Sequence, residues 1–238
     1  FINLYESFFS WGAMSTRHEF VGFENYIKMF QDDIFYIAMK NNLIFTVMSV
    51  ICQIGISLLI ANVLETKFIR RTAVFFRTVY FIPSLLMVTV VGIAFQMIYS
   101  PSIGIVNPLL EMLGIDTTNI DLLGNAGSAT YAIAGMSQWQ YAGAVKKFIY
   151  ITLPELKDTI IINTIITVTG SIREYDEVFV TTNGGPGNAS ETLATYLYKV
   201  GFTNDQMGYA SALAFFIFIV TFIIGLAQMR SYRLDDQQ

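Results

Sequence analysis

Five stretches of the chain run on in apolar residues without a single charge: 41–64, 78–110, 122–145, 159–172 and 206–229. The fourth stays apolar beyond its end, through Val178, Phe179 and Val180. A helix crossing a membrane needs about 20 apolar residues, so these runs predict helices over 40–64, 76–99, 129–143, 159–181 and 208–229. Residues Phe1 to Phe9 read as the outer end of a further helix whose beginning precedes the sequence. The expected fold is all-α: one transmembrane domain over 1–238, a polytopic bundle with six membrane helices in the native protein, the first truncated here. The span at 129–143 is too short for a hydrocarbon core about 30 Å thick at about 1.5 Å per residue. Residues are therefore expected to be missing at the 143/144 junction.

Composition sharpens this picture. Hydrophobic residues make up 54% of the 238, charged residues 13%, and the mean hydropathy is +0.53. A soluble domain carries about 25% charged residues, so too few are present here to clothe a water-facing surface. The net charge of −4 argues against a nucleic-acid-binding surface. With one cysteine, Cys52, and one histidine, His18, no disulfide, metal site or Ser-His catalytic centre is expected. The Gly-x-x-x-x-Gly-Lys phosphate loop is absent, so ATP is not expected to bind by that route.

Charge orients the spans. Segment 65–77 carries Lys67, Arg70, Arg71 and Arg77 against Glu65, and 144–158 carries Lys146, Lys147 and Lys157 against Glu155 and Asp158. The segments 12–37, 100–128 and 173–208 are acidic. Basic residues concentrate on the cytoplasmic side, so the first two face the cytoplasm, 12–37, 100–128 and 182–207 face outward, and both termini of the native protein are cytoplasmic.

Four segments hold candidate chemistry. The stretch from Ala144 through Lys146, Lys147, Phe148, Ile151 and Leu153 to Pro154 is basic and amphipathic. It suits either a helix docked in a partner's groove or one anchored at the membrane surface. Asn163, Thr167, Ser171 and Glu174 recur at steps of four, four and three beside Gly170. That polar stripe fits a solute pathway or interhelical hydrogen bonding. Gln138, Trp139, Gln140 and Tyr141 combine amides and rings, which suit a sugar's hydroxyls and faces or an aromatic packing girdle. Residues 182–190, with Gly184, Gly185, Pro186 and Gly187, predict a tight outward turn. Its Asn188-Ala189-Ser190 also fits a glycosylation sequon.

Ile151-Thr152-Leu153-Pro154 after the basic stretch resembles the end of the cytoplasmic Glu-Ala-Ala loop of ABC importer permeases. Phe20 to Ile27, Phe76 to Pro83, Tyr99 to Asn107 and Asn183 to Leu193 resemble the carbohydrate-uptake branch of that family, the maltose, lactose and multiple-sugar type. The Glu-Ala-Ala and Gly that should precede Ala144 are absent at the junction already marked by length.

The resemblance implies a binding-protein-dependent permease of the cell membrane, bacterial or archaeal, importing a sugar or oligosaccharide. It implies a second permease, two ATPases holding ATP and Mg, and an extracytoplasmic binding protein, with no cofactor and no catalysis in this chain. Residues 144–154 would be the coupling helix. The positions matching the maltose permease's pocket are Ser84, Val88, Ser137, Gln138 to Tyr141, Thr167, Gly170, Ser171 and Glu174. A stand-alone secondary transporter or channel is the alternative. It is disfavoured by the lack of charges deep in any span and of an evident repeat.

Overall fold

The computed structural model describes residues 2–15, 18–56, 82–141 and 156–235. A short helix α1 (Ile2–Glu6) leads into an antiparallel ribbon, β1 (Phe9–Trp11) against β2 (His18–Phe20), with Phe9 opposite Phe20. The ribbon is a small departure from the all-α expectation. It is followed by α2 (Glu24–Gln31) and α3 (Asp33–Ser49), which widens into a π-helical segment over Val50–Ile56. Next come α4 (Val88–Tyr99), α5 (Val106–Met112) and α6 (Ala129–Tyr141). The last part holds α7 (Leu156–Ile172), α8 (Asp176–Thr181), α9 (Leu193–Tyr198) with a π-helical extension Lys199–Thr203, and α10 (Met207–Asp235).

The membrane character is visible in what these helices leave uncovered. Among the described residues, Asp33–Cys52 and Met207–Arg230 are long and apolar enough to cross a membrane. On α10, Phe218, Phe222, Ile223, Leu226 and Met229 are each at least half exposed. A water-soluble surface rarely presents such a continuous apolar strip.

Two of the predicted spans are broken. The span placed at 76–99 is interrupted at Leu86–Met87, where Met87 is extended (φ −64°, ψ 136°), before α4 begins. The span placed at 159–181 stops at Ile172 and restarts at Asp176. The first predicted span begins earlier than position 40, because Asp32 caps α3 by accepting from the Ile34 N–H at 2.9 Å.

Two apolar clusters hold the helices together. Met29, Phe35, Ala38, Val168, Ile172, Leu193, Val200 and Leu213 join α2, α3, α7, α9 and α10. Phe45, Val91, Ile133, Met136 and Val178 join α3, α4, α6 and α8. Helix α3 contributes to both and is the central element.

Asp32 does more than cap. Its Oδ2 accepts from the Tyr196 hydroxyl and, at 2.7 Å, from the Tyr209 hydroxyl, tying α9 and α10 to the start of α3. Burial and then the bond to Asp32 hold the Tyr196 phenol above its ordinary range, so it stays a donor. Replacing Asp32 with Ala removes a cap worth about 1 kcal/mol and leaves the hydroxyls of two buried tyrosines without their acceptor, at about 1–3 kcal/mol each. The variant is expected to lose about 3–7 kcal/mol in a denaturation of the detergent-solubilised protein. A loss below about 1 kcal/mol would show that the cluster is not holding the helices.

Candidate functional site

An open cleft of about 440 Å³ lies between α3, α6 and α7 and the break before α8. From α7 it takes Asn163, Ile166, Thr167, Gly170 and Ser171, from α6 Ser137 and Tyr141, and from α3 Ser49. Arg173, Glu174, Tyr175, Asp176 and Glu177 complete the wall. Asn163, Thr167 and Ser171 share one face of α7, as a helix turning about 100° per residue requires for steps of four, and Glu174, past the end of α7, joins them in the same cavity. A Cβ built on Gly170 meets nothing within 4 Å, so the glycine opens onto empty space.

The lining suits a neutral, hydroxyl-rich solute. Ser171 Oγ donates to the Thr167 carbonyl at 2.9 Å, leaving its lone pairs to accept. Ser49 Oγ accepts from Gln138 Nε2 at 3.1 Å and keeps its own hydrogen to donate. Tyr175 supplies an aromatic face, itself stacked on Phe179 with ring centroids 5.0 Å apart. Arg173 turns back, donating through Nε to the Thr169 carbonyl.

Of the positions singled out in the sequence, Ser137, Tyr141, Thr167, Gly170, Ser171 and Glu174 meet in this cleft. Gln138 stands behind it, bonded to Ser49. Gln140 is buried and donates to the Leu86 carbonyl at 3.1 Å, serving the break before α4. Trp139 is 48% exposed and packs on Phe95 with centroids 5.2 Å apart. Ser84 and Val88 lie beside the Leu86–Met87 break and do not line the cleft. Ala144, Lys146, Lys147, Phe148, Ile151, Leu153 and Pro154 fall outside the described residues. Ser49, Tyr175, Asp176 and Glu177 were not anticipated as lining.

The glycine-rich segment is the expected turn, exposed at Asn183 and Gly187, and its inner side supports the fold. Asn183, Gly184, Gly187 and Asn188 all have positive φ, and Gly184 and Ser190 are buried. Asn41 Nδ2 donates to the Ala189 and Glu191 carbonyls, both at 2.8 Å, while Asn41 Oδ1 accepts from Thr130. Glu191, 1% exposed, accepts from Lys199 Nζ at 2.8 Å and from Thr195 Oγ1 at 2.6 Å. Asn188 Oδ1 accepts from Lys199, and Ser190 is 0% exposed, so the sequon is folded into the protein. Irregular backbone within a membrane protein is tolerated where protein groups satisfy it, and here the amides and hydroxyls of α3 and α6 do so.

No protein-family model matches the chain. Over its whole length it is 35% identical to the probable ABC transporter permease protein YurN of Bacillus subtilis (strain 168), and covers 91% of that protein. The chain belongs to the ABC transporter permease family. It is also 28% identical to the arabinooligosaccharides transport system permease protein AraP of Halalkalibacterium halodurans, over 91% of this chain and 77% of that one. The multiple sugar-binding transport system permease protein MsmF of Streptococcus mutans is 26% identical over 97% and 87%.

The permease shares its fold with a chain of the bacterial alginate ABC transporter solved with its alginate pentasaccharide-bound periplasmic protein. That match has a TM-score of 0.74 and 19% identity, and covers 87% of this chain and 81% of the other. The match to YurN runs over 265 residues against the 238 here, a difference of 27 that the relative carries and this permease lacks.

Proposed function

We propose that this permease is the multi-pass, membrane-spanning subunit of an ATP-driven importer of sugars or oligosaccharides, and that the cleft at α7 is part of the solute path. The gathering of Asn163, Thr167, Ser171 and Glu174 with Tyr141 and Tyr175 around one cavity supports this reading. So do relatives named for arabinooligosaccharide and multiple-sugar transport.

In this reading the chain performs no covalent chemistry and holds no cofactor. A second permease completes the path, two ATPases bind ATP and Mg, and an extracytoplasmic binding protein delivers the sugar. Residues 144–154 couple the permease to an ATPase. A sugar entering the cleft gives up water, and each hydroxyl must find a replacement partner. Thr167, Ser171, Ser49 and Asn163 provide such partners, and Tyr175 offers a face for the sugar's C–H edge.

The test is uptake by the assembled importer carrying Thr167→Val with Ser171→Ala. Each change leaves sugar groups unpaired, at about 1–3 kcal/mol per group. Uptake is expected to fall by about tenfold or more, with the binding protein's sugar affinity unchanged. Uptake at the native rate would place the solute path elsewhere and leave the stripe as helix packing.

A further inference from the structure

Five consecutive residues, 173–177, line the cleft. No regular helix can do this, because successive side chains are about 100° apart and five of them sweep the whole circumference. In an uninterrupted helix Asp176 would lie opposite Thr167, nine positions and about 180° away. The interruption between α7 and α8 is therefore what brings Tyr175 and Asp176 onto the same wall as Thr167 and Ser171.

The interruption carries a cost. The last carbonyls of a helix have no partner within it, and α7 ends inside the protein. Arg173 Nε reaches the Thr169 carbonyl and the Arg173 and Glu174 N–H groups reach the Gly170 and Ser171 carbonyls, and a side chain of α3 reaches the very end. Asn42 on α3 is buried, and its Nδ2 donates to the Ser171 carbonyl at 2.9 Å and the Ile172 carbonyl at 3.1 Å. Its Oδ1 accepts from the Leu193 N–H at 2.8 Å, which fixes the start of α9 to the same point. Asn42 lies seven residues before Ser49, two turns along α3 and so on the same face, with Ser49 in the cleft below it.

We infer that Asn42 is a positioning residue for the solute path. It holds α7 open after Ile172 and so sets which residues of 173–177 meet the solute. This rests on the reading of the cleft as the path. Asn42 touches no solute itself; its three bonds to main chain replace the run-on helical bonds that would turn Asp176 away.

The test uses the complete importer with Cys52→Ser and a single new thiol, at Gly170→Cys or at Asp176→Cys, reacted with a cationic methanethiosulfonate reagent. Position 170 lies before the break and reports on the cleft alone; position 176 reports on the break. With Asn42 present both thiols are expected to react. With Asn42→Ala or Asn42→Asp, the rate at 176 relative to 170 is expected to fall at least fivefold at unchanged yield of assembled complex. A merely structural role would lower yield or slow both sites together and leave the ratio alone.

A ratio within twofold of native in the assembled variants overturns the inference. Asn42→Asp keeps the shape and the acceptor for Leu193 but loses the donor, so it decides the matter if Asn42→Ala fails to assemble. The path reading has its own readout. A panel of maltose, arabinotriose and diacetylchitobiose, delivered by the binding protein, should include one sugar that slows reaction at position 170. If none does, the path reading falls while the ratio still reports on Asn42.

Discussion

Replacing Gly184 with alanine is expected to cost the permease about 2–5 kcal/mol of stability and most of its assembled yield. Two physical effects combine. Gly184 sits at φ +81°, where an L-residue pays about 1–2 kcal/mol. Its new Cβ would also overlap the Glu191 carboxyl group, adding about 1–3 kcal/mol of overpacking. Glu191 cannot step aside cheaply. Lys199 and Thr195 hold both of its oxygens, and moving it would strand a buried carboxylate. The check is the amount of monodisperse complex recovered at increasing temperature. A thermal midpoint within a degree or two of native would mean that the glycine-rich segment yields easily and is not the rigid support described.

Gly170 should behave in the opposite way. The glycine stands inside α7 and faces open space. Gly170→Leu therefore gains about 0.8–1 kcal/mol of helix propensity and its Cβ meets nothing within 4 Å, so the folded complex should be recovered about as well as native. Its side chain enters the cleft, however, and uptake is expected to drop by at least tenfold. Gly170→Ala, with the same gain and a far smaller intrusion, should transport much better than the leucine variant. Native uptake by Gly170→Leu in a well-folded complex would show that the solute passes elsewhere.

The sequence was most informative where the membrane leaves little choice. Length and absence of charge located the apolar helices, and the four-residue spacing of Asn163, Thr167 and Ser171 placed them on one wall. The breaks were harder to read. The run 159–181 reads as one continuous span, whereas Arg173, Glu174, Asp176 and Glu177 surround an interruption in it. The available signal lay in the amides inside charge-free runs. Asn41, Asn42 and Gln140 each serve main chain where a helix stops or a loop folds inward, and Gln96 does so by donating to the Val180 and Thr181 carbonyls at the end of α8.

Helix geometry also carried a warning about the group at 138–141. Four consecutive residues of a helix cannot all face one cavity, and only Tyr141 lines this one. The π-helical widening after Ser49 had no recognisable mark in the sequence, since it depends on how α3 packs against α6 and α7.

The bonds made by α3 have a consequence for the order in which the protein is built. Asp32 waits for Tyr196 and Tyr209, 164 and 177 residues further along, and Asn41 and Asn42 wait for chain 129–151 residues later. Synthesis proceeds from the N-terminus at about 5–20 residues per second, so α3 leaves the ribosome many seconds before any of these partners exists. During that interval its polar groups must remain against water or the insertion machinery, because bare lipid offers them nothing. The helix at the centre of the finished bundle is thus among the first to be made and among the last to be satisfied. Its amides close on the chain up to Leu193, and its cap Asp32 is completed only when Tyr209 of α10 has arrived.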